Sequence, residues 1–416
     1  MEELIIRGGR PLSGELQPQG AKNSVLPLLA ASLLFTKGCV LHNCPRLSDV
    51  KAAVRILKAL GCEVAWEGHS IRVESRNLCV EEIPEKLMGT MRSSVLFLGP
   101  LMARLGRCRL SQPGGCVLGK RPIDLHLNGL KTLGAEITEE DGSITCCGTL
   151  KAGTIALSYP SVGATENLIL AALGAVGTTT IYNAAKEPEI GDLIGFLTAG
   201  GAKIYGRGTS MLQVEGGLPQ EASYEVMPDR MEAATYLSAV AGCGGEILVR
   251  GAVGTYLKPV LSSFVSAGCH LREEETLLHL RAPERLNSIY PVRTGPYPAF
   301  PTDAQAPFMA AMLRADGVTV IEENIFADRY RHVPALKALG GDIRTQGAVA
   351  VIRGVEHLHG TYLEATDLRG GAAMAVGALQ AQGESRLSSV EHILRGYENF
   401  SGKLSALGAD VETHKR

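Results

Sequence analysis

Residues 60–73, LGCEVAWEGHSIRV, decide the fold of this chain. They follow residues 48–60, where apolar residues recur at helical spacing and Ser48 is a candidate N-cap. Gly61 is suited to end that helix, because glycine readily adopts the left-handed conformation found at helix C-termini. Two alternating segments on either side of Gly68 then predict a β-hairpin. The stretch therefore predicts one helix followed by an antiparallel pair of strands.

The same pattern of helix end, glycine and short strands returns five more times. Its glycines lie about 70 residues apart, which is longer than the period of most solenoid repeats. A second, more apolar helix precedes most units, and its composition predicts that it is buried. The six glycines are Gly61, Gly134, Gly201, Gly268, Gly340 and Gly408, and the buried helices are expected at residues 23–34, 90–103, 163–173, 231–241, 302–313 and 368–381.

Six such units divide naturally into three plus three, which predicts an α/β protein of two domains. The middle boundary is expected near residues 221–229, after the third hairpin. Strands expected at residues 4–6 and 12–16 precede the first buried helix, so they are candidates to complete the second half. Two domains leave a cleft between them, and a cleft is a common place for a ligand.

Composition excludes several classes of protein. The 416 residues carry a net charge of −2, with no basic tail, so we expect no nucleic-acid partner. No apolar run is long enough to cross a bilayer and no signal peptide is evident, so we expect no membrane partner and a cytoplasmic location. The ten cysteines are scattered without the spacing of a zinc site, so we expect neither a metal nor a disulfide framework.

The most reactive stretch is expected at residues 112–125, QPGGCVLGKRPIDL. Consecutive glycines predict a flexible turn, and Cys116 follows them directly. Lys120 and Arg121 supply positive charge that favours a thiolate. The alternative interpretation is a buried, inert cysteine followed by a basic pair on the surface.

Several predicted buried helices begin with a cation, although helix N-termini prefer acidic residues. Lys22 and Arg92 stand at two such starts, and Arg369 at a third. Cations placed in this way suggest a polyanionic ligand. Backbone N–H groups of Ser161, Val162 and Gly163 could also hold a phosphate, although an ordinary capped helix explains them about as well.

Two polar residues have competing interpretations. Asn23 is either a helix cap or a ligand-binding group, and Asp303 is either an N-cap or a base at the cleft.

Taken together, these motifs resemble those of the enolpyruvyl transferases, from the N-terminal strand to the last helix. Any one motif is weak, but eleven of them stand in the family's order. They are GAKN, TMRSS, PGGC, RPIDLH, SVGAT, NAAKEPEI, PDRMEA, PAFPTD, FADRYRHVPAL, TDLRGGAA and RGYE.

The resemblance implies an inside-out α/β barrel fold, with three βαβαββ units in each of two domains. It places the first domain at residues 22–229, carrying the Cys116 loop, and the second at residues 1–21 plus 230–416. The active site is expected in the cleft between them. The implied reaction transfers the enolpyruvyl group of phosphoenolpyruvate to the 3-hydroxyl of UDP-N-acetylglucosamine, with release of phosphate, at the first committed step of peptidoglycan synthesis. No cofactor is implied, and we expect a monomer or weak oligomer.

The resemblance also assigns roles to single residues. Cys116 is the implied acid and Asp303 the candidate base, with Lys22 and Arg395 as further catalytic groups. The implied substrate-binding residues are Lys22, Asn23, Arg92, Arg121, Pro122, Ile123, Asp124, Leu125, Ser161, Val162, Gly163, Asp303, Ile325, Arg329, Asp367 and Arg369.

Two departures from the family pattern stand out. Tyr159-Pro160 replaces a basic residue ahead of SVGAT, so a phosphate contact is lost or is supplied by the Tyr159 hydroxyl. Gly370-Gly371 follows TDLR, where many relatives have Ala-Ser or Ala-Gly, and should loosen that helix start.

Two alternatives remain for the function. One is the shikimate-pathway branch of the family, which lacks the PGGC loop. The other is a catalytically silent paralogue that binds a UDP-sugar and regulates.

Overall fold

The computed structural model describes residues 2–89, 91–111, 123–140 and 142–415. Within these ranges the chain divides into two compact units. The first unit spans residues 20–227, and the second comprises residues 2–19 and 228–415. The boundaries expected from the sequence lie two residues further along the chain at both crossings.

The helices follow the expected pattern of apolar segments. Most of the apolar segments form helices that are buried along nearly their whole length, whereas helices that precede the glycines bury one face only. The helices are α1 Lys22–Ala31, α2 Ser48–Ala59, α3 Glu85–Met88, α4 Leu98–Leu105, α5 Asp124–Thr132, α6 Val162–Ala172, α7 Pro188–Ala199, α8 Arg230–Cys243, α9 Lys258–Ser266, α10 Thr302–Ala311, α11 Val333–Ala338, α12 Leu368–Gln380, α13 Glu391–Leu394 and α14 Phe400–Ala406, with 3₁₀ turns at Ser32–Leu34, Arg92–Phe97, Gly254–Leu257, Met312–Arg314 and Arg329–His332.

The strands are short, and most alternate between buried and exposed residues. They are β1 Glu2–Arg7, β2 Leu12–Leu16, β3 Cys39–His42, β4 Glu63–Glu67, β5 Ser70–Glu74, β6 Arg107–Ser111, β7 Glu136–Glu140, β8 Ser143–Cys147, β9 Thr154–Ala156, β10 Thr178–Tyr182, β11 Ile204–Tyr205, β12 Met211–Glu215, β13 Ala222–Glu225, β14 Gly245–Arg250, β15 His270–Glu274, β16 Leu277–Ala282, β17 Val292–Arg293, β18 Val318–Glu322, β19 Asp342–Gln346, β20 Val349–Arg353, β21 Tyr362–Glu364, β22 Glu384–Ser388 and β23 Asp410–Lys415.

The hairpin predicted from residues 60–73 is confirmed. Strands β4 and β5 pair antiparallel, with Glu63 opposite Glu74 and Trp66 opposite Ile71. Gly61 follows the helix with a φ of +94°, and the other five glycines of the repeat also have φ between +84° and +102°. Because a side chain is strained in this region, glycine is what lets each helix turn into its hairpin.

Each repeat contributes to one small sheet of common design. In five sheets an antiparallel hairpin lies beside a third strand, whereas in the sixth the N-terminal strand β1 pairs antiparallel with both β22 and β23. In five of the sheets a further strand pairs in parallel. The described residues form three sheets in the first unit (β13-β3-β5-β4, β6-β8-β7 and β11-β12-β10-β9) and three in the second (β15-β16-β14-β2, β17-β18-β20-β19 and β21-β22-β1-β23).

The two N-terminal strands belong to the second unit. Strand β1 lies between β22 and β23, and β2 pairs parallel to β14. The prediction that these strands complete the second half is therefore confirmed. The α/β class is confirmed with it.

Each unit has its own apolar core, formed by the buried helices and the inner faces of its sheets. In the second unit α8, α10 and α12 contact one another. In the first unit α4 packs on α6. The buried helices therefore lie in the core of each unit, and their polar N-terminal ends supply the residues described next.

The helix cap expected at Ser48 is wrong, and the capping alternative for Asn23 and Asp303 does not hold either. The N-cap of α2 is Leu47, since Ser48 already lies inside the helix. Ala21 and Pro301 hold the corresponding positions before α1 and α10, and neither makes a side-chain cap. Asn23 and Asp303 are therefore free of the capping role that the sequence allowed.

Candidate active site

Asp303 is the centre of a charged site in the second unit. It lies in the first turn of α10, and its two carboxylate oxygens are held separately. Arg329 Nη2 donates to Oδ1 at 2.8 Å, and Arg369 Nη2 donates to Oδ2 at 3.0 Å. The side chain of Asp303 is 29% exposed, whereas those of Arg329 and Arg369 are 2% and 4% exposed. Two buried arginines therefore hold the carboxylate of Asp303, while part of its surface remains accessible to solvent.

The two arginines come from different elements. Arg329 begins the 3₁₀ turn before α11, and the same nitrogen that binds Asp303 also donates to Thr302 O at 2.9 Å. Arg369 lies in the first turn of α12 and donates from Nη1 to Tyr397 Oη at 3.0 Å. A buried guanidinium is tolerated only with acceptors of this kind, and its planar fork fixes their directions.

Glu323 shapes the loop that carries Ile325. Its buried carboxylate accepts hydrogen bonds from the backbone N–H groups of Ile325 at 2.9 Å and Phe326 at 3.1 Å. Thr302 Oγ1 donates to it at 3.0 Å. Ile325 is therefore tied to the start of α10, next to Asp303. Sequence reasoning missed Glu323, since no motif distinguishes it from neighbouring surface acids.

Asp367 is the N-cap of α12, and its predicted role in substrate binding stays a prediction. Its Oδ1 accepts from the backbone N–H groups of Arg369 at 3.1 Å and Gly370 at 3.0 Å. The glycines do not simply loosen this helix start. A Cβ on Gly371 would lie 2.7 Å from Ile393 Cγ1, so glycine permits close packing there.

His332 is buried beside this cap. The pKa of His332 is lowered to about 4, chiefly by burial; the charge of Asp367 opposes this shift and the charge of Arg329 adds to it. Its Nδ1 lies 3.1 Å from Arg329 O, a carbonyl that can only accept, so Nδ1 carries the hydrogen. His332 is thus a neutral support for the arginine turn.

Arg395 directly follows α13 and has a half-buried side chain. Two residues later, Tyr397 binds Arg369. Hydrogen bonds therefore connect four of the predicted site residues, Asp303, Arg329, Arg369 and Asp367. Arg395 is close in sequence to Tyr397, which binds Arg369.

In the first unit, Lys22 is the first residue of α1 and pairs with Asp49 of α2, with Nζ 2.7 Å from Oδ2. Their side chains are 12% and 7% exposed. Asn23 follows on the helix and is exposed. Lys22 thus lies at a helix N-terminus, where the excess positive charge expected from the sequence is partly compensated by Asp49.

His126 lies near three other residues that the sequence predicted for the site, Arg92, Asp124 and Gly163. Its pKa is lowered to about 4, chiefly by burial and also by the charge of Arg92, whereas the charge of Asp124 opposes the shift. Asn167 Nδ2 lies 3.0 Å from Nδ1 of this histidine. A Cβ on Gly163 would lie 3.4 Å from the imidazole Cε1, so glycine allows the ring to approach the start of α6. His126 stands at the end of the RPIDLH motif, so the motif itself pointed to it.

Ser161 is the N-cap of α6 and accepts from Ala164 N at 3.4 Å. Val162 and Gly163 form the first turn, and both are half-buried. The capped-helix interpretation is therefore confirmed, while a role in phosphate binding stays a prediction. Tyr159 is exposed, and its carbonyl accepts from Ser161 N at 2.7 Å.

The loop before α5 is only partly described. Ile123 and Leu125 are half-buried, and Asp124 is exposed as the first residue of that helix. Cys116, Lys120, Arg121 and Pro122 lie outside the described residues, so their predicted roles stay predictions. In the part of the chain that the structure describes, no cluster of three or more His, Cys, Asp or Glu side chains could hold a metal ion. No described helix is long and apolar enough to cross a membrane.

Comparison with known proteins matches this arrangement to a family. A family model described as EPSP synthase (3-phosphoshikimate 1-carboxyvinyltransferase) matches residues 6–404. UDP-N-acetylglucosamine 1-carboxyvinyltransferase 2 of Caldanaerobacter subterraneus subsp. tengcongensis is 44% identical over 413 residues, covering 99% of each chain. The chain belongs to the enolpyruvyl transferase family. UDP-N-acetylglucosamine 1-carboxyvinyltransferase of Myxococcus xanthus, a second enolpyruvyl transferase, is 43% identical over 421 residues, covering 100% of both chains.

Solved structures agree on the fold. The enolpyruvyl transferase NikO from Streptomyces tendae superposes with a TM-score of 0.89 at 24% identity, covering 99% of this chain and 98% of that one. At this identity the match establishes the fold alone. It extends the enolpyruvyl transferase architecture over both units of the chain.

Proposed function

We propose that this chain transfers the enolpyruvyl group of phosphoenolpyruvate to the 3-hydroxyl of UDP-N-acetylglucosamine and releases phosphate. The observation that carries the proposal is identity of 44% and 43%, over nearly the whole chain, to two enzymes named for this sugar nucleotide. The anchored, accessible carboxylate of Asp303 supplies the group that such a reaction needs at the sugar.

Phosphoenolpyruvate carries a carboxylate and a phosphate, so fixed cations are required to hold it. Lys22, Arg92, Arg121 and Arg395 take this role in the proposal. Cations at such positions act best once water has been expelled. Cys116 then gives a proton to the methylene carbon of phosphoenolpyruvate.

Asp303 accepts the proton of the sugar 3-hydroxyl as that oxygen bonds to the central carbon of phosphoenolpyruvate. The addition gives a tetrahedral intermediate, and the methyl carbon then returns a proton to the Cys116 thiolate as phosphate leaves, which restores the enol double bond. Arg329 and Arg369 bind different oxygens of Asp303, and its side chain is 29% exposed. A hydroxyl can therefore approach the exposed side of the carboxylate without displacing either arginine.

The sugar nucleotide is assigned to the remaining residues of the proposal. Positioning of this kind supplies much of the rate when both reactants are held close together. The assigned residues are Asn23, Arg121, Pro122, Ile123, Asp124, Leu125, Ser161, Val162, Gly163, Asp303, Ile325, Arg329, Asp367 and Arg369.

The reaction needs no cofactor and no partner beyond the two substrates. We place the reaction in the cytoplasm and expect a monomer or a weak oligomer.

The test is phosphate release from phosphoenolpyruvate by the purified chain. We expect release with UDP-N-acetylglucosamine as acceptor and none with shikimate 3-phosphate. The opposite choice would place the chain in the shikimate branch, and no turnover with either acceptor would favour a silent paralogue. In the same assay Cys116→Ser should lose most of the turnover, whereas Cys79→Ser, which changes another cysteine at an exposed position, should keep it.

A further inference from the structure

Tyr397 lies within the polar site of the second unit, although the proposed chemistry gives it no role. Its ring is fully buried against Phe400, with centroids 5.2 Å apart. The guanidinium carbon of Arg369 lies 5.5 Å from the centre of the same ring. The hydroxyl meets Arg369 Nη1 at 3.0 Å and Thr235 Oγ1 at 2.7 Å. Tyr397 therefore contacts the arginine that holds Asp303.

The hydrogens in this group can be assigned. Thr235 Oγ1 donates to Met231 O at 3.0 Å, and a threonine hydroxyl has only one hydrogen to give. Tyr397 must then donate its own hydrogen to Thr235, which leaves the phenol oxygen to accept from Arg369. Burial raises the pKa of Tyr397, while Arg369 lowers it, and the net shift is upward. The phenol is thus neutral and acts as a fixed acceptor.

The acceptor sets the orientation of Arg369. One terminal nitrogen binds Tyr397 and the other binds Asp303 Oδ2 at 3.0 Å. Because a guanidinium is planar and rigid, fixing one nitrogen fixes the direction of the other. Without the phenol oxygen, Nη1 would be buried with an acceptor lost. Tyr397 therefore defines the plane in which Arg369 meets the carboxylate.

The backbone on both sides of Tyr397 is clamped by one side chain. Gln19 Nε2 donates to Gly396 O at 2.8 Å, and Glu398 N donates to Gln19 Oε1 at 2.7 Å. Gln19 is itself held, because its backbone N–H donates to the buried carboxylate of Glu232 at 2.6 Å. The segment cannot shift without breaking several buried hydrogen bonds.

We propose that Tyr397 is a positioning residue. Through Arg369, it holds the Asp303 carboxylate at a fixed position relative to Arg395. The inference rests on the proposed function, in which Arg395 binds phosphoenolpyruvate and Asp303 accepts a proton from the sugar. Arg395 lies two residues before Tyr397 on the clamped segment. The two reactants must meet at about 3 Å, so a small shift between these groups costs turnover.

The test compares Tyr397→Phe with Tyr236→Phe. Both tyrosines are fully buried, but among the described residues the Tyr236 hydroxyl donates to Phe400 O alone, at 3.4 Å, and has no hydrogen bond to Arg369. For Tyr397→Phe we expect kcat for phosphate release to fall about tenfold, with KM for UDP-N-acetylglucosamine changed less than about twofold. Tyr236→Phe should change kcat less than about twofold. Wild-type kcat in Tyr397→Phe would overturn the inference.

A second variant checks that the effect passes through Arg369. Lysine cannot bind Tyr397 and Asp303 with two rigidly linked nitrogens. In an Arg369→Lys background, Tyr397→Phe should therefore lower kcat by less than about twofold. A further tenfold loss in that background would mean that Tyr397 acts on another group, and the inference would be wrong.

A spectroscopic measurement separates this inference from the proposed function. In ¹⁵N-arginine-labelled protein, the Nη signals of Arg369, assigned with Arg369→Lys, should be resolved in the wild type and in Tyr236→Phe. They should merge in Tyr397→Phe, because the guanidinium can then rotate. An unchanged spectrum overturns the inference. Absence of phosphate release by the wild type with UDP-N-acetylglucosamine counts instead against the proposed function.

Discussion

Both units hold polar groups at the N-terminal ends of buried helices, but the central group is charged in one unit and neutral in the other. The second unit is organised around a charge, with Asp303 between two buried arginines. The first is organised around a neutral ring, because burial lowers the pKa of His126 to about 4. A fixed carboxylate suits proton transfer, whereas a neutral imidazole suits recognition without a full charge.

Each unit also buries one histidine, and the two carry their hydrogens on different nitrogens. His126 Nδ1 faces the amide nitrogen of Asn167, a donor, so its hydrogen is on Nε2. His332 Nδ1 faces Arg329 O, so its hydrogen is on Nδ1. The Nε2–H group of His126 is therefore a hydrogen-bond donor near Gly163. The Nδ1–H group of His332 instead donates to the backbone carbonyl of Arg329. The repeat is shared, but the site chemistry comes from single residues at equivalent places.

The strongest test of this contrast is Asp303→Asn. The change leaves Arg329 and Arg369 buried beside a neutral amide, and breaking a buried ion pair on one side costs about 3–5 kcal/mol. Turnover should fall by about 10²–10⁴-fold, since a general base contributes that much. Hydrogen exchange of α10 and α12 amides measures the loss of stability, and phosphate release measures the loss of turnover.

The matched control is Asp124→Asn in the first unit. Asp124 also stands in the first turn of a helix, but it is exposed. Its loss should change the free energy of unfolding by less than about 0.5 kcal/mol. Equal destabilisation by the two variants would show that Asp303 is not a charge centre of the second unit.

The second test is the pH dependence of stability. Both His126 and His332 have pKa values lowered to about 4, so between about pH 6.5 and 4 the unfolded chain binds protons that the folded chain does not. Stability should therefore be lost as the pH falls through this window, by about 3 kcal/mol for each histidine. Hydrogen exchange in α6 reports the first unit, and exchange in α12 reports the second.

Single substitutions assign the slope to its unit. His126→Gln should flatten the pH dependence in α6 alone, and His332→Gln in α12 alone. The exposed His357 provides the control, since His357→Gln should leave both slopes unchanged. If either buried-histidine variant kept the wild-type slope, another group would be responsible for it.

The sequence was sufficient for most of the fold because the relevant signals are local. Helix periodicity and the glycine at each helix end predicted the repeat, as the φ of +94° at Gly61 illustrates. The cap expected at Ser48 and the capping alternative for Asn23 and Asp303 did not hold, because capping depends on backbone angles one residue away, which side-chain type does not determine.

The candidate site was predictable only in part. Asp303, Arg329 and Arg369 were named because motifs carry them, but their mutual contacts depend on tertiary packing across three elements. Glu323 and Gln19 could not be found, since their importance comes from distant backbone groups. Sequence reveals which residue types are present, while the partners of a buried polar group are set by the fold.

The smallest test concerns buried amides, where the units again differ. In the first unit both amide atoms of Asn167 form hydrogen bonds. Its Oδ1 accepts from Gly99 N at 2.6 Å, and its Nδ2 donates to Val95 O at 3.1 Å. In the second unit both amide atoms of Gln305 are buried without a hydrogen-bond partner among the described residues. Gln305→Met keeps the size of the side chain and should raise the free energy of unfolding by about 1 kcal/mol.

Asn167→Leu supplies the opposite expectation. It leaves Gly99 N and Val95 O unpaired in the core, so it should lower the free energy of unfolding of the first unit by about 1–3 kcal/mol. Denaturant unfolding followed by hydrogen exchange in α6 and α10 resolves the two effects. If Gln305→Met destabilised the second unit as strongly, the side-chain amide of Gln305 would be hydrogen-bonded in the wild type. The two units would then differ in the charges of their sites and not in their buried amides.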